Sequence, residues 1–364
     1  LYAVVCTLLI GCTNAELEEQ RGVTCQNGIP ERVVASLDDD DTRVELNDAL
    51  QTVWTKGDEV SVFYNSDANN RFLYAGETGE RSGVLVRDMA ETGNAMDGIV
   101  AIYPYSAEYE LSTSAHSVEV AIPAEQHYRE GSYGLGENIL VYSGNSDNFF
   151  FSNVCGWLRL QLYGAERVSR VTLRGNNGEV LAGDALLDYT TLDLQLAAGG
   201  AKQLTIDCGK EGVLLKPAEA TEFYFVVAPQ TFSKGITVEV TFENETTITK
   251  STSKSVTIAR NHIQPMKVVD TLIEGLDIES MPLITTYPET IYDDMTDDIV
   301  VLVNANGTTM AGFTGDMYAH TGVITDNSTS SSDWKYVKAG WSENTEACKL
   351  VNRGDNIWQF TIKG

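Results

Sequence analysis

The sequence predicts an all-β chain, with tandem β-sandwich domains followed by a third, incomplete β-sandwich module. Three observations predict it. Apolar residues alternate at period two in several runs, turn residues separate those runs at short intervals, and no stretch carries a sustained helical stripe. The clearest alternations are WLRLQL at 157–162, VEVAI at 118–122 and VEVTF at 238–242. Strands of this kind bury one face and wet the other, as antiparallel sandwiches do. The turns are GNNG at 175–178, AGG at 198–200 and NANG at 304–307, each supplying residues that tolerate tight backbone geometry. Only 87–92 reads as a short helix. A chain of 364 residues suits two or three domains.

Taken from the front, the chain opens on LYAVVCTLLIGC, an apolar run too short to span a bilayer. It reads as the end of a signal peptide over 1–11. Leu9, Ile10, Gly11 and Cys12 resemble the bacterial lipobox, in which the cysteine becomes the acylated first residue. The competing reading is an ordinary secretory signal or a buried first strand. Residues 12–30 then form a lipidated tether with an acidic cluster just after Cys12. The domains that follow are expected at 31–148 and 149–270, the break falling where FFFSN opens a new strand, with a connector at 271–281 and a last module at 282–364. That module holds Trp334, Trp341 and Trp358, and the sequence stops inside what reads as a strand pair, so the module reads as cut short.

Charge narrows the partners. The 25 basic residues face 52 acidic ones, giving a formal net charge of −27. Nucleic acid needs clustered Lys and Arg, and none are clustered here. An anionic lipid surface is disfavoured on the same ground. The excess acid suits a secreted protein that stays soluble. With Cys6 removed and Cys12 acylated, Cys25, Cys155, Cys208 and Cys348 remain, at spacings that match no zinc pattern. Cys155 and Cys208 lie beside strand-like runs, where core packing is the default and a mutual disulfide the alternative.

Little in the sequence points to catalysis. His116, His127, His262 and His320 have no partner at nucleophile-like or metal-like spacing, and the common hydrolase and nucleotide-binding motifs are absent. GSYGLG at 131–136 precedes a strand rather than a helix, so it reads as a loop and not a phosphate cradle. Glycosidase carboxylates need a pair at set separation across a cleft, and no local motif supports one. Asp293, Asp294, Asp297 and Asp298 offer hard oxygen donors for calcium, but without the spacing of a known loop they read as a solvated acidic turn. No metal, cofactor or catalytic residue is therefore predicted. Trp334, Tyr336 and Trp341 are the candidate glycan-binding residues, since sugar rings stack their C–H faces on aromatic rings; the competing reading places the tryptophans in a sandwich core. For Trp358 the core reading is preferred, with Gln359 on the alternate face.

A series of segments then suggests a family. TRVELND and TVWTKGDEVSVFYN (42–65), AIYPYS (101–106), IPAEQ (122–126), FSNVCGWLRLQL (151–162) and VTLRGNNGEVLAGD (171–184) occur in order. LTIDCG (204–209), FYFVVAPQTFSKGITVEV (223–240) and IARNHIQPM (258–266) follow them. Together they resemble the fimbrillin-like surface lipoproteins of Bacteroidetes. The resemblance implies two transthyretin-like β-sandwich domains and a role in adhesion or type V pilus assembly, at the outer membrane and anchored by lipid. It also implies pilin subunits as partners. In such assembly a displaced strand leaves a groove that a neighbour fills by β-augmentation. The candidate displaced strand is 32–37, with Val33, Val34 and Leu37 as its apolar residues and Arg32 or Arg43 as candidate processing sites; the alternative is a permanently paired first strand. The segment from Gly315 to Trp341 instead resembles an Ig-like accessory β-sandwich module of Bacteroidetes surface amylases. It implies a second function, capture of host or dietary starch-like glycans, or an accessory role beside a glycoside hydrolase.

Overall fold

The computed structural model describes residues 28–37, 53–274, 278, 280–292, 295–296 and 298–363. The chain enters with β1 (Arg32–Leu37) and continues through β2 (Glu59–Ser66), β3 (Asn70–Tyr74), β4 (Ser82–Met89) and β5 (Ala95–Tyr103). It then makes an excursion through the short strands β6 (Leu111–Ser112), β7 (Ser117–Ile122) and β8 (Glu125–His127), and returns with β9 (Leu140–Gly144) and β10 (Asn148–Asn153). Strands β1, β10, β9, β5, β2, β3 and β4 close into a barrel. Trp54 fills its centre, stacked on Tyr74 at 5.2 Å and edge-on to Phe151 at 5.3 Å.

The second unit follows with β11 (Gly156–Tyr163), β12 (Arg167–Gly175), β13 (Gly183–Asp188), β14 (Leu194–Leu196), β15 (Gln203–Asp207) and β16 (Val213–Leu214). It continues through β17 (Thr221–Val227), β18 (Gln230–Phe232), β19 (Ile236–Phe242), β20 (Thr247–Ser251), β21 (Val256–Ile258), β22 (Ile263–Pro265) and β23 (Val269–Asp270). Strand β11 pairs antiparallel with β17 from Gly156↔Val227 to Leu162↔Thr221, and parallel with β22 and β23. The expected alternation holds: Leu158, Leu160 and Leu162 are buried while Arg159 and Gln161 are only partly covered.

Two expected boundaries need correction. Strand β10 pairs with β1 and β9, so it belongs to the first barrel although the break was expected before Phe149. Its pleat turns Phe149 and Phe151 inward at 0% exposure and leaves Phe150 outside at 56%. Conversely, β7 pairs with β13 and β8 with β15, so 111–127 builds the second unit from within the first. The units are fused along β5. Ile99, Ala101 and Tyr103 face the barrel core, while Val100 and Ile102 join the second unit's core beside Val118 and Val120. A strand buried on both faces reads as a continuous apolar run, which GIVAIY is. The short helix expected at 87–92 is also overturned. Strand β4 runs through to Met89 because β1 and β3 pair with it on either side.

The last unit is one antiparallel sheet in the order β24 (Ile284–Tyr287), β25 (Ile299–Asn304), β27 (Ile357–Ile362) and β26 (Val351–Gly354). Val300, Leu302 and Ile357 face the segment that joins it to the second unit, packing on Ile273, Ile278 and Met281. Trp358 and Phe360 face the other way, under Ala305, Leu350 and Met317. Trp358 is thus a core residue, 3% exposed, while Gln359 on the alternate face is buried as well. Its amide Nε2 donates to Ala218 O at 3.3 Å. Beside it, Arg353 reaches the second unit: its guanidinium lies 3.6 Å above the Tyr163 ring, donates to Pro217 O at 2.8 Å, and sits 2.5 Å from Asp270 Oδ2. Of the expected connector, 271–281, the described Ile273, Ile278 and Met281 pack into this junction.

Candidate functional site

The loops between β25 and β26 carry Trp334, Tyr336 and Trp341, all exposed. They are anchored from below: Ala319 N donates to Cys348 O at 2.7 Å and Leu350 N to Met317 O at 2.8 Å, which fixes the segment that ends in His320. A two-residue bridge, Val323 N to Lys335 O at 2.9 Å and Lys335 N to Val323 O at 2.8 Å, brings the 334–336 segment alongside. Gly322 permits that approach, since a Cβ there would lie 2.9 Å from the Trp334 Cβ.

His320 is the hub. Trp334 stacks on it at 5.6 Å between ring centroids, and Trp341 meets it edge-on at 5.0 Å. Trp334 is 42% exposed, Trp341 80% and Tyr336 81%. The core reading of Trp334 and Trp341 is therefore excluded by their exposure. Trp334 donates its indole N–H to Ser331 O at 3.1 Å, which holds the ring in place and leaves its remaining surface free for contact. Tyr336 stands in the left-handed region at φ 53°, a conformation that a residue of its bulk adopts only in a tight turn, and its ring points outward. Asp333 braces the loop: Lys335 Nζ at 2.7 Å and the Thr329 N–H and hydroxyl hold its carboxyl below the usual range. The result is an exposed aromatic surface with carboxylate and hydroxyl groups at its rim. Such a surface can stack on a flat apolar ring face while bonding the ring's hydroxyls.

The sequence named Trp334, Tyr336 and Trp341 but missed His320. It is separated from them by turn-rich loops, and spacing along a loop carries no information on proximity. The other singled-out residues lie elsewhere. In β1, Val33 and Leu37 are buried, Val34 is partly covered, and Arg32 is exposed at the strand's start. The strand is paired on both sides, antiparallel to β4 and parallel to β10. Cys12, Cys25, Arg43 and the acidic residues 293, 294 and 297 fall outside the described residues. Cys155, Cys208 and Cys348 are free thiols, and burial pushes Cys155 and Cys208 up to about 12. Among the described residues, Glu125, His127 and Asp207 in the second unit bring metal-ligand types together.

No family model and no curated relative matches the chain. Among solved structures it is similar to a proposed cell adhesion protein of Bacteroides ovatus, at 16% identity and a TM-score of 0.44, over 66% of this chain and 92% of that one. It is similar to a fimbrial protein of the same species at 13% identity and a TM-score of 0.33, over 66% of this chain and 49% of that one. A C-terminally truncated tip fimbrial protein of Porphyromonas gingivalis is matched at 11% identity and a TM-score of 0.31, over 64% of this chain and 92% of that one.

Proposed function

We propose that the chain is a non-catalytic, lipid-anchored cell-surface protein of the fimbrillin type, and that it adheres through the aromatic surface of its last unit to neutral glycans. The observation that carries this reading is the cluster of Trp334 and Trp341 around His320, with the exposed Tyr336 two residues after Trp334 in the chain, displayed on a unit that Arg353 ties to the rest. The ordered series of fimbrillin-like segments between 42 and 266 supports the surface role, and Cys12 is the anchor it needs.

The test is migration of the purified protein through gels that contain single polysaccharides, starch among them. Retardation on at least one glycan is expected. Trp334→Ala and Trp341→Ala should each weaken it about twofold to tenfold, since an aromatic stacking face contributes ~0.5–1.5 kcal/mol. Unretarded migration on every glycan, or retardation that both variants keep in full, would sink the reading.

A second reading rests on β1. The strand closes the barrel between β4 and β10, so its loss would open a groove with unpaired edges on both sides. Arg32 is exposed at its start. Release of β1 followed by strand exchange with another subunit should yield SDS-resistant ladders after trypsin nicking near Arg32 or Arg43. A nicked protein that stays monomeric would rule it out.

A further inference from the structure

Strand β8 is three residues long and adds parallel to β15, with Glu125 opposite Thr205, Gln126 opposite Ile206 and His127 opposite Asp207. Its middle residue is locked. Gln126 is wholly buried, donates from Nε2 to Val226 O at 2.8 Å and accepts from Val226 N at 2.9 Å, so its side chain pairs with β17 as a backbone would. The pleat therefore turns Glu125 and His127 together to the outer face, where Asp207 meets them. One ligand atom from each of the three lies within 4.8 Å of the others.

The imidazole is oriented from behind. His127 Nδ1 lies 3.2 Å from Glu137 Oε1, and Glu137 is itself buried and held by the N–H groups of His127 at 2.6 Å and Gly134 at 3.1 Å. Residue 134 must be glycine for this, because a Cβ there would stand 2.2 Å from Glu137 Oε1. The tautomer with its proton on Nδ1 donates to that carboxylate and leaves the Nε2 lone pair available to a metal, as in histidines that bind metals. Asp207 commits Oδ1 to Gly209 N at 3.0 Å, and Oδ2 remains. Among the described residues no Lys or Arg pairs with Glu125 or Asp207, so two carboxylates adjoin without a cation between them.

We propose that Glu125, His127 and Asp207 form a binding site for a first-row divalent cation of the zinc type, with Glu137 as the positioning residue behind His127. One nitrogen and two carboxylate donors suit zinc, whereas calcium and magnesium call for an all-oxygen shell. The site is open to solvent, so water completes the coordination. Its donors come from the 111–127 excursion and from the second unit's own sheet, so the bound ion staples one to the other.

The experiment titrates the chelator-stripped full chain with zinc chloride by calorimetry and follows its melting temperature. One equivalent is expected to bind and to raise the melting temperature. His127→Ala and Asp207→Asn should each abolish both effects, and Glu137→Gln should weaken binding about 10-fold to 100-fold. Calcium chloride should give no heat. His127 is 67% exposed, so its removal leaves the fold intact, and a circular dichroism spectrum of each variant checks that. No uptake at ~1 mM zinc, a range in which even weak surface sites fill, would overturn the proposal. So would uptake undiminished in His127→Ala and Asp207→Asn, or calcium bound as well as zinc. An unchanged affinity in Glu137→Gln would remove its positioning role.

Discussion

Removing Arg353 is expected to undock the last unit. Its side chain is 1% exposed and that of Asp270 4%, so both charges have left water. Burial raises the Asp270 pKa against the pull of Arg353, and burial lowers that of Arg353 against the pull of Asp270. Desolvation therefore opposes both charges more than their attraction favours them. The contact is also imperfect: Arg353 Nη2 and Asp270 Oδ2 are close but off hydrogen-bonding alignment, and Arg353 Nε has no acceptor. A pair of this kind contributes little relative to a neutral replacement, yet breaking it from one side strands a buried charge at about 3–5 kcal/mol. Arg353→Met should cost that much, and Arg353→Met with Asp270→Asn should recover most of it. Asn at 270 can still accept from Leu272 N, which Asp270 Oδ1 now does at 3.1 Å. The assay is urea unfolding followed by tryptophan fluorescence, since Trp334, Trp341 and Trp358 lie in the last unit while Trp54 and Trp157 report on the others. Amide exchange then localises the loss. A cost below about 1 kcal/mol for Arg353→Met, or a double variant no better than the single one, would refute the reasoning, because an exposed pair behaves that way.

Two further outcomes are expected. Gly156→Ala should destabilise by about 1–3 kcal/mol as overpacking does, read as a lower melting temperature, because a Cβ there would lie 2.2 Å from Ala259 O and 2.8 Å from Ile258 Cγ2. Stability should also fall on the alkaline side. Burial raises Cys155 from 9.0 to about 12 and Tyr109 from 10.0 to about 12, and pushes Tyr103 and Tyr224 further up. Groups raised on folding stay protonated in the native state while the unfolded chain loses its protons, so their contribution is complete below pH 9 and is lost as pH climbs toward 12. The urea midpoint should drop between pH 8 and 11, and a flat profile would contradict the burial of these groups.

Period-two alternation told which face of a strand is buried, and it did so correctly for β7, where Val118, Val120 and Ile122 are buried and Glu119 and Ala121 exposed. It did not tell which sheet the strand joins. Nothing local distinguishes a β7 that pairs with β13 from one that stays in the first barrel, because the pairing is decided by chain crossings dozens of residues long. The continuous run in β5 was likewise visible, but its meaning needed the second unit's core on the far side. The same limit governs the sites. Trp334 and Trp341 could be named from residue type, whereas His320 entered only through the bridge at 323 and 335. Glu125 and His127 at i and i+2 share a strand face, a spacing that could have been flagged. Asp207 arrives from 80 residues away, and the sequence offers no sign of it.

The contrast between the tryptophans bears on what the last unit touches. Trp358 sits on β27, where strand pairing with Val303 aims its ring into a core. Trp334 and Trp341 sit on loops with no such constraint, and the chain nonetheless holds them against His320 instead of folding them inward. Leaving an indole in water forgoes roughly 1.5–3 kcal/mol of burial, a cost that the glycan proposed above would offset by covering the rings. For the proposed adhesive role, charge narrows the choice of partner. At −27, the protein repels polyanions that come within the ~8–10 Å over which ordinary salt leaves a field intact. An acidic polysaccharide, a phosphate-rich surface and another strongly acidic protein all meet that repulsion. A neutral glycan does not, and it offers the flat C–H face that an exposed indole can cover.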